Sequence, residues 1–186
     1  MATTRLLIDR ERIAQRTSEL GRQITTDLRA EQADAVALGR AMQPVTLVPV
    51  LTGALVFAAD LIRSIDVPLS IRPVTLSSYP GASTSSQGVS APYSLPADLK
   101  GQRVLIVDDI LDSGQTLGLL RRVFAAQAPA SLRIAVLLNK RKPRGRTEEV
   151  PVEYFGFEID DRFVVGYGLD HDGLYRNLPD VSELIP

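Results

Sequence analysis

The feature that most narrows the choice of fold is an alternation of short apolar runs with helical patterns, each joined by a turn. "TLVPVL" (46–51) is a β-rich run that breaks at Thr52-Gly53, and "ALVFAADLIRSI" (54–65) then reads as a mostly buried helix closed by Asp66 and Pro68. "LSIRPVTLS" (69–77) returns to strand composition. The pattern resumes with "RVLIV" (103–107), the amphipathic "TLGLLRRVFAAQ" (116–127) and "LRIAVLL" (132–138). Strand, turn, helix, strand implies a parallel sheet, because a parallel neighbour is reached only by a crossover long enough to hold a helix. Upstream, residues 9–30 place Ile13, Leu20, Ile24 and Leu28 on one face of a further helix. Downstream, "VEYFGFEI" (152–159) and "RFVVGYGL" (162–169) read as two short strands joined at Asp160-Asp161. The expected architecture is one α/β domain over residues 1–186, with small additions from the two chain termini.

Composition removes several function classes. Of 186 residues, 45% are hydrophobic and 23% charged, an ordinary globular mixture. The formal net charge of -1 argues against a protein built to coat nucleic acid or an anionic membrane, so neither is expected as a partner. There is no cysteine, hence no disulfide, thiolate metal site or cysteine nucleophile, and the one histidine, His171, is too few for a histidine-rich site. No apolar stretch approaches the ~20 residues of a membrane span. "MATTRLLIDRERIAQR" turns charged within a few residues and lacks a signal-peptide core, so a cytoplasmic location is expected.

Between the two strand–helix patterns lies "SYPGASTSSQGVSAPYSLP" (78–96), rich in Ser, Gly, Pro and Ala and without a period. A loop of that length inside a compact domain is commonly a lid or a binding loop. The strands on either side need each other as partners, so it is not a domain linker.

"VLIVDDILDSGQTL" (104–117) carries the clearest chemistry. Its apolar start suits a central parallel strand covered on both faces. Ligands of open α/β sheets bind beyond the carboxyl ends of the strands, where Asp108 and Asp109 fall. The turn from Asp112 to Thr116 can aim backbone N–H groups and hydroxyls at an anion, with the dipole of the following helix assisting. Three carboxylates beside a bare phosphate would repel it. They suit a ligand that also carries hydroxyls or brings Mg²⁺, and a sugar phosphate satisfies both halves. The plainer reading makes Asp109 and Asp112 helix caps and leaves Asp108 solvated. The Gly-Lys-Ser/Thr of a P-loop and the G-x-G-x-x-G of dinucleotide folds are both missing. A response-regulator receiver also carries such an acid pair, but at the start of its domain.

This stretch resembles the phosphoribosyl-pyrophosphate (PRPP) signature of the type I phosphoribosyltransferases. "LTGALVFAADLIR", "SSYPGASTSS", "LLNKRKPR" and "FGFEIDDRFVVGYGLDHDGLYRNLP" are similar, in order, to successive blocks of the hypoxanthine-guanine members of that family, from about Thr46 to Pro179. The resemblance implies an α/β fold with a parallel sheet flanked by helices, a mobile loop over about 78–96 and a small purine hood, over about 151–186, completed by the chain termini. It implies transfer of phosphoribose from Mg·PRPP to hypoxanthine or guanine by an enzyme that is a homodimer or homotetramer.

Carried over residue by residue, the resemblance assigns the ribose hydroxyls to Asp108 and Asp109, the first of which is often Glu in the family. The 5′-phosphate falls to Asp112, Ser113, Gly114, Gln115 and Thr116, and the general base to Asp112. Lys140 would donate to the purine 6-oxo group, Phe163 would stack on the base and Val164 would meet its edge through the backbone. Asp170 would complete the purine site and hold Mg²⁺. Leu51, Thr52, Gly53 and Arg176 would meet pyrophosphate, with Thr52 standing where many relatives carry a cation. Ser78 and Tyr79 would open the mobile loop. Arg141, Lys142, Arg144 and Arg146 read as a solvated basic run, and His171 has no implied role. Two other readings share the motifs: an enzyme for xanthine or another 6-oxopurine, and a PRPP-sensing regulator that binds nucleic acid.

Overall fold

The computed structural model describes residues 3–41, 44–75 and 95–185. The elements run β1 (Thr3–Ile8), α1 (Arg10–Ala37), β2 (Val45–Leu51), α2 (Leu55–Ile62), β3 (Leu69–Ile71) and β4 (Val74–Thr75). They continue with β5 (Arg103–Leu111), α3 (Gln115–Ala125), β6 (Ser131–Lys140), β7 (Tyr154–Ile159), β8 (Val164–Val165) and β9 (Val181–Ile185). The main sheet has the order β3-β2-β5-β6-β7, every neighbouring pair parallel, and β4 also pairs with β2.

Alternation along the central strands explains why this sheet is covered on both faces. Leu47, Leu105, Val107 and Leu137 point to the side of α1 and α2, where they pack with Ile13, Leu20, Ile24, Phe57 and Leu61. Val48, Val104, Ile106 and Val136 point to the other side, against Leu117, Leu120 and Phe124 of α3. Each such large side chain, removed from water, contributes about 1.5–3 kcal/mol. The carboxyl ends of β2, β5 and β6 are thereby fixed side by side at one edge of the molecule.

A second, smaller sheet has the order β1-β9-β8, antiparallel throughout, and draws on both ends of the chain. It corresponds to the expected terminal hood, although β1 and β9 are strands that the sequence reading did not mark. The Tyr167 hydroxyl donates to Asp60 of α2 at 2.7 Å and so ties the segment after β8 to the main body.

Several element boundaries differ from expectation, each for a visible reason. The helix expected over 9–30 continues to Ala37, carried past its buried face by an alanine-rich stretch of high helix propensity. Its start is fixed by Asp9, whose carboxylate accepts the N–H of Arg12 at 2.8 Å. The run 69–77 is two strands rather than one, because Pro73 has no N–H for the ladder; residues 76–77 lie outside the described set. β5 does not stop at Val107 but continues through the acids to Leu111, held by pairing with β6 as far as Leu111↔Asn139. The run 162–169 is a strand only at Val164–Val165, since Gly166, Tyr167 and Gly168 all have positive φ and turn the chain.

Candidate functional site

The carboxyl edge of the sheet holds a cleft of about 440 Å³. Three stretches far apart in sequence line most of it: Leu51, Thr52 and Gly53 after β2; Asp108, Asp109, Asp112, Ser113, Gly114 and Thr116 from β5 and its turn; and Asp170 with Arg176 beyond β8. These were all expected in one site, and the fold brings them together. Gln115 opens α3 and does not line the cleft, and neither do Lys140, Phe163 and Val164. Ser78 and Tyr79, with most of the expected loop, lie outside the described residues.

Close backbone approach shapes the floor. The Leu51–Thr52 peptide is cis. A Cβ added to Gly53 would stand 1.9 Å from Oδ2 of Asp109, so glycine here leaves room for that carboxylate against the loop after β2. Gly114, with φ of 84°, makes the turn into α3, and a Cβ there would stand 1.9 Å from the carbonyl oxygen of Glu148. The N–H of Glu148 donates to the carbonyl of Ser113 at 3.0 Å and holds this turn from outside.

The acid pair is deeply placed. Burial, and then the neighbouring Asp109 carboxylate, push the Asp108 carboxyl well above its ordinary range, although Asp108 accepts the backbone N–H of Asp109 at 3.0 Å. Burial also raises Asp109, against the lowering effect of hydrogen bonds and of the Arg176 guanidinium. Such a pair is suited to hydroxyl ligands, with which it can accept or share protons. Arg176 spans the far side, donating to the Gly168 carbonyl at 2.5 Å and pairing with Asp170 at 2.7 Å. The other oxygen of Asp170 accepts the N–H of Gly173 at 2.8 Å, so Asp170 is at once a turn residue and a wall of the cleft.

Asp112 is the centre of a charge cluster. Lys140, the last residue of β6, donates from Nζ to Asp112 Oδ2 at 2.8 Å, and Lys142 meets Oδ1 at 2.5 Å. Asp161 stands 2.8 Å from Lys142 and 3.7 Å from Lys140. Burial acts to raise the Asp112 carboxyl, but the hydrogen bonds and charges of the two lysines outweigh it and hold the group below its ordinary value. Lys140 is buried.

The solvated reading of the basic run fails at two positions. Lys142 belongs to the Asp112 cluster, and Arg146 turns inward to the side chain of Asn139 at 2.5 Å and the carbonyl of Lys140 at 2.6 Å. The signal for Lys142 was its spacing. Side chains two apart leave an extended backbone on the same side, and the N–H of Arg141 still bonds to Ile159 as if the ladder continued. Arg141 itself, paired with Glu158 at the surface, fits the expectation.

In the hood, Val164 is buried in β8 and Phe163 is 52% exposed. Phe163 packs edge-on against His171, ring centroids 5.2 Å apart. Among the described residues no group of three or more His, Asp or Glu side chains forms a ready-made metal cage. Nor is any helix of the described residues long and apolar enough to cross a membrane.

Comparison with known proteins identifies the family to which this fold belongs. The family model described as the phosphoribosyl transferase domain matches residues 28–172. The chain is 39% identical over 183 residues to the hypoxanthine phosphoribosyltransferase of Salmonella typhimurium, covering 98% of this chain and 96% of that one. It is 43% identical over 182 residues to the hypoxanthine-guanine phosphoribosyltransferase of Mycobacterium avium, covering 97% and 85%. Among solved structures, the Trypanosoma cruzi hypoxanthine phosphoribosyltransferase complexed with the product IMP superposes with a TM-score of 0.84 at 33% identity, covering 100% of this chain and 92% of that one. The chain belongs to the phosphoribosyl transferase family, among its hypoxanthine and hypoxanthine-guanine phosphoribosyltransferases.

Proposed function

We propose that this cleft joins C1′ of PRPP to N9 of hypoxanthine or guanine, releasing pyrophosphate and giving IMP or GMP, a purine-salvage reaction. The observation that carries the reading is the convergence of an acid pair, an anion-binding turn and the Asp170–Arg176 pair on one cleft, with Lys140 seated on Asp112 beside it. Asp108 and Asp109 orient the ribose through its hydroxyls. Asp112 to Thr116 take the 5′-phosphate with the N–H groups that open α3. The loop at Leu51, Thr52 and Gly53, together with Arg176, receives the pyrophosphate. Lys140 donates to the 6-oxo group, the Phe163 ring covers the base and Val164 meets its edge. Asp112, kept ionised by its lysines, accepts the proton displaced as the new bond forms.

The donor set fits Mg²⁺ brought in by substrate. Asp170 is one carboxylate at the cleft wall, and magnesium is commonly held by one or two carboxylates with phosphate oxygens supplying the rest. When bound, the ion neutralises charge on the departing pyrophosphate. The remaining parts of the reading are one domain over residues 1–186, closure of the loop at about 78–96 from Ser78 and Tyr79, a hood over about 151–186, a homodimer or homotetramer, and a cytoplasmic location.

The test is pyrophosphate release from PRPP with a panel of purines. Hypoxanthine and guanine should support turnover and adenine should not. No release with any 6-oxopurine would sink the assignment.

A further inference from the structure

We propose that Lys142 is a positioning residue, which keeps the Asp112 carboxylate ionised and aimed into the cleft while Lys140 is engaged with the purine. This rests on Asp112 being the proton acceptor. The geometry divides the carboxylate between two ammonium groups, Lys140 on Oδ2 at 2.8 Å and Lys142 on Oδ1 at 2.5 Å. If Lys140 were the sole partner, turning its donors toward a 6-oxo group would leave Asp112 less compensated and free to rotate at the moment it must accept a proton. Lys142 removes that conflict, because its oxygen is not the one Lys140 uses.

Asp161 explains why two ammonium groups can share so small a space. It stands 2.8 Å from Lys142 and 3.7 Å from Lys140, so two carboxylates face two ammoniums and the cluster is neutral. Asp161 also lies two residues ahead of Phe163 in the segment leading to the hood. Lys142 therefore links the turn that carries Asp112 to the segment that carries the proposed base-stacking ring. The charged groups facing Asp112 are Lys140 at the end of β6, Lys142 just beyond it and Asp161 from the β7–β8 connection, with Asp108 and Asp109 upstream on β5.

Loss of Lys142 leaves two carboxylates with one ammonium, which favours the protonated form of Asp112. An opposite charge within ~4–6 Å lowers a carboxyl pKa by about 1–3, and partial exposure puts this site at the low end. Carboxyl-carbon NMR of aspartate-labelled protein in the presence of saturating hypoxanthine would follow the Asp112 midpoint in wild type, Lys142→Met and Lys142→Arg, alongside the pH dependence of kcat, which reports the substrate-bound enzyme. In Lys142→Met the midpoint should rise by about one pH unit, and the acid limb of kcat should move the same way. Lys142→Arg, which retains the charge, should restore both, and Lys142→Gln should behave as Lys142→Met does. A midpoint unmoved in Lys142→Met and Lys142→Gln, or moved equally in Lys142→Arg, would overturn the role. Asp112→Asn separates this from the underlying reading. Near-normal turnover in that variant would refute the proton acceptor, whereas a fall of roughly 10²–10⁴ beside an unmoved midpoint in Lys142→Met would refute Lys142 alone.

Discussion

Two residues illustrate how the site sets charge against stability. Lys140 is buried at the end of β6, and an ammonium has three donors and no acceptor. It suits a 6-oxo group and meets only another donor in adenine's 6-amino group. An opposed or unpaired polar group costs on the order of 1–3 kcal/mol, roughly tenfold or more in discrimination. Lys140→Ala should raise KM for hypoxanthine and guanine more than for PRPP and narrow their advantage over adenine in kcat/KM. Equal losses for all three bases would assign Lys140 to structure alone. Asp108 works against the fold. Burial and the Asp109 charge raise its carboxyl well above the ordinary range. A carboxyl raised on folding contributes stability that is present in full below its unfolded pKa and is lost as pH rises through the folded value. At neutral pH the buried carboxyl therefore weighs against folding. Asp108→Asn should raise Tm by a few degrees at pH 7–8, with the gain shrinking toward pH 4, while turnover falls. Calorimetry across that range checks the sign, and a lower Tm throughout would mean that hydrogen bonding to the carboxylate outweighs its burial.

At the level of elements, the turn between β5 and α3 depends on glycine at position 114. Its φ of 84° is unfavourable for any L side chain, and the added Cβ would meet a backbone oxygen, which has little room to move. Gly114→Ala should cost about 1–3 kcal/mol of stability and raise KM for PRPP more than for the purine, as paired unfolding and kinetic measurements would report. A stability loss with unchanged KM for PRPP would separate the turn from the 5′-phosphate. The strand–helix alternation was legible because apolar period and turn residues agree along 46–65 and 103–127. The acid pair was legible because charge follows an apolar strand without a break. What was not legible depended on partners remote in sequence. β5 runs past its acids only because β6 pairs with them, and β8 ends where three positive-φ residues follow, a property that composition shows for the glycines and not for Tyr167. Lys142 was hidden in a basic run whose inward face appears only once the line of β6 is extended beyond Lys140.

For the molecule as a whole, the parallel sheet carries the proposed phosphoribose site, while the hood that carries Phe163 and Val164 depends on strands from opposite ends of the chain. β8 contributes two residues, paired among the described residues only with β9, through Val164↔Glu183 and Val165↔Ser182. β9 is held on its other edge by β1, from Thr3↔Ile185 to Ile8↔Val181. Arg5 of β1 and Arg162, just before β8, both pair with Glu183 between them. The two cores on the faces of the main sheet use Ile8 but no earlier residue among the described ones as a buried member. Removal of residues 1–7 should therefore leave the sheet folded and turn β9 into a free edge with a two-residue ladder. The expected result is a severalfold rise in KM for hypoxanthine, KM for PRPP near that of the full chain, and a modest fall in Tm. The rival view treats hood and sheet as one cooperative unit. It predicts that both KM values rise together, or that the shortened chain fails to fold. Steady-state kinetics with each substrate varied in turn, beside thermal unfolding of both chains, decides between them.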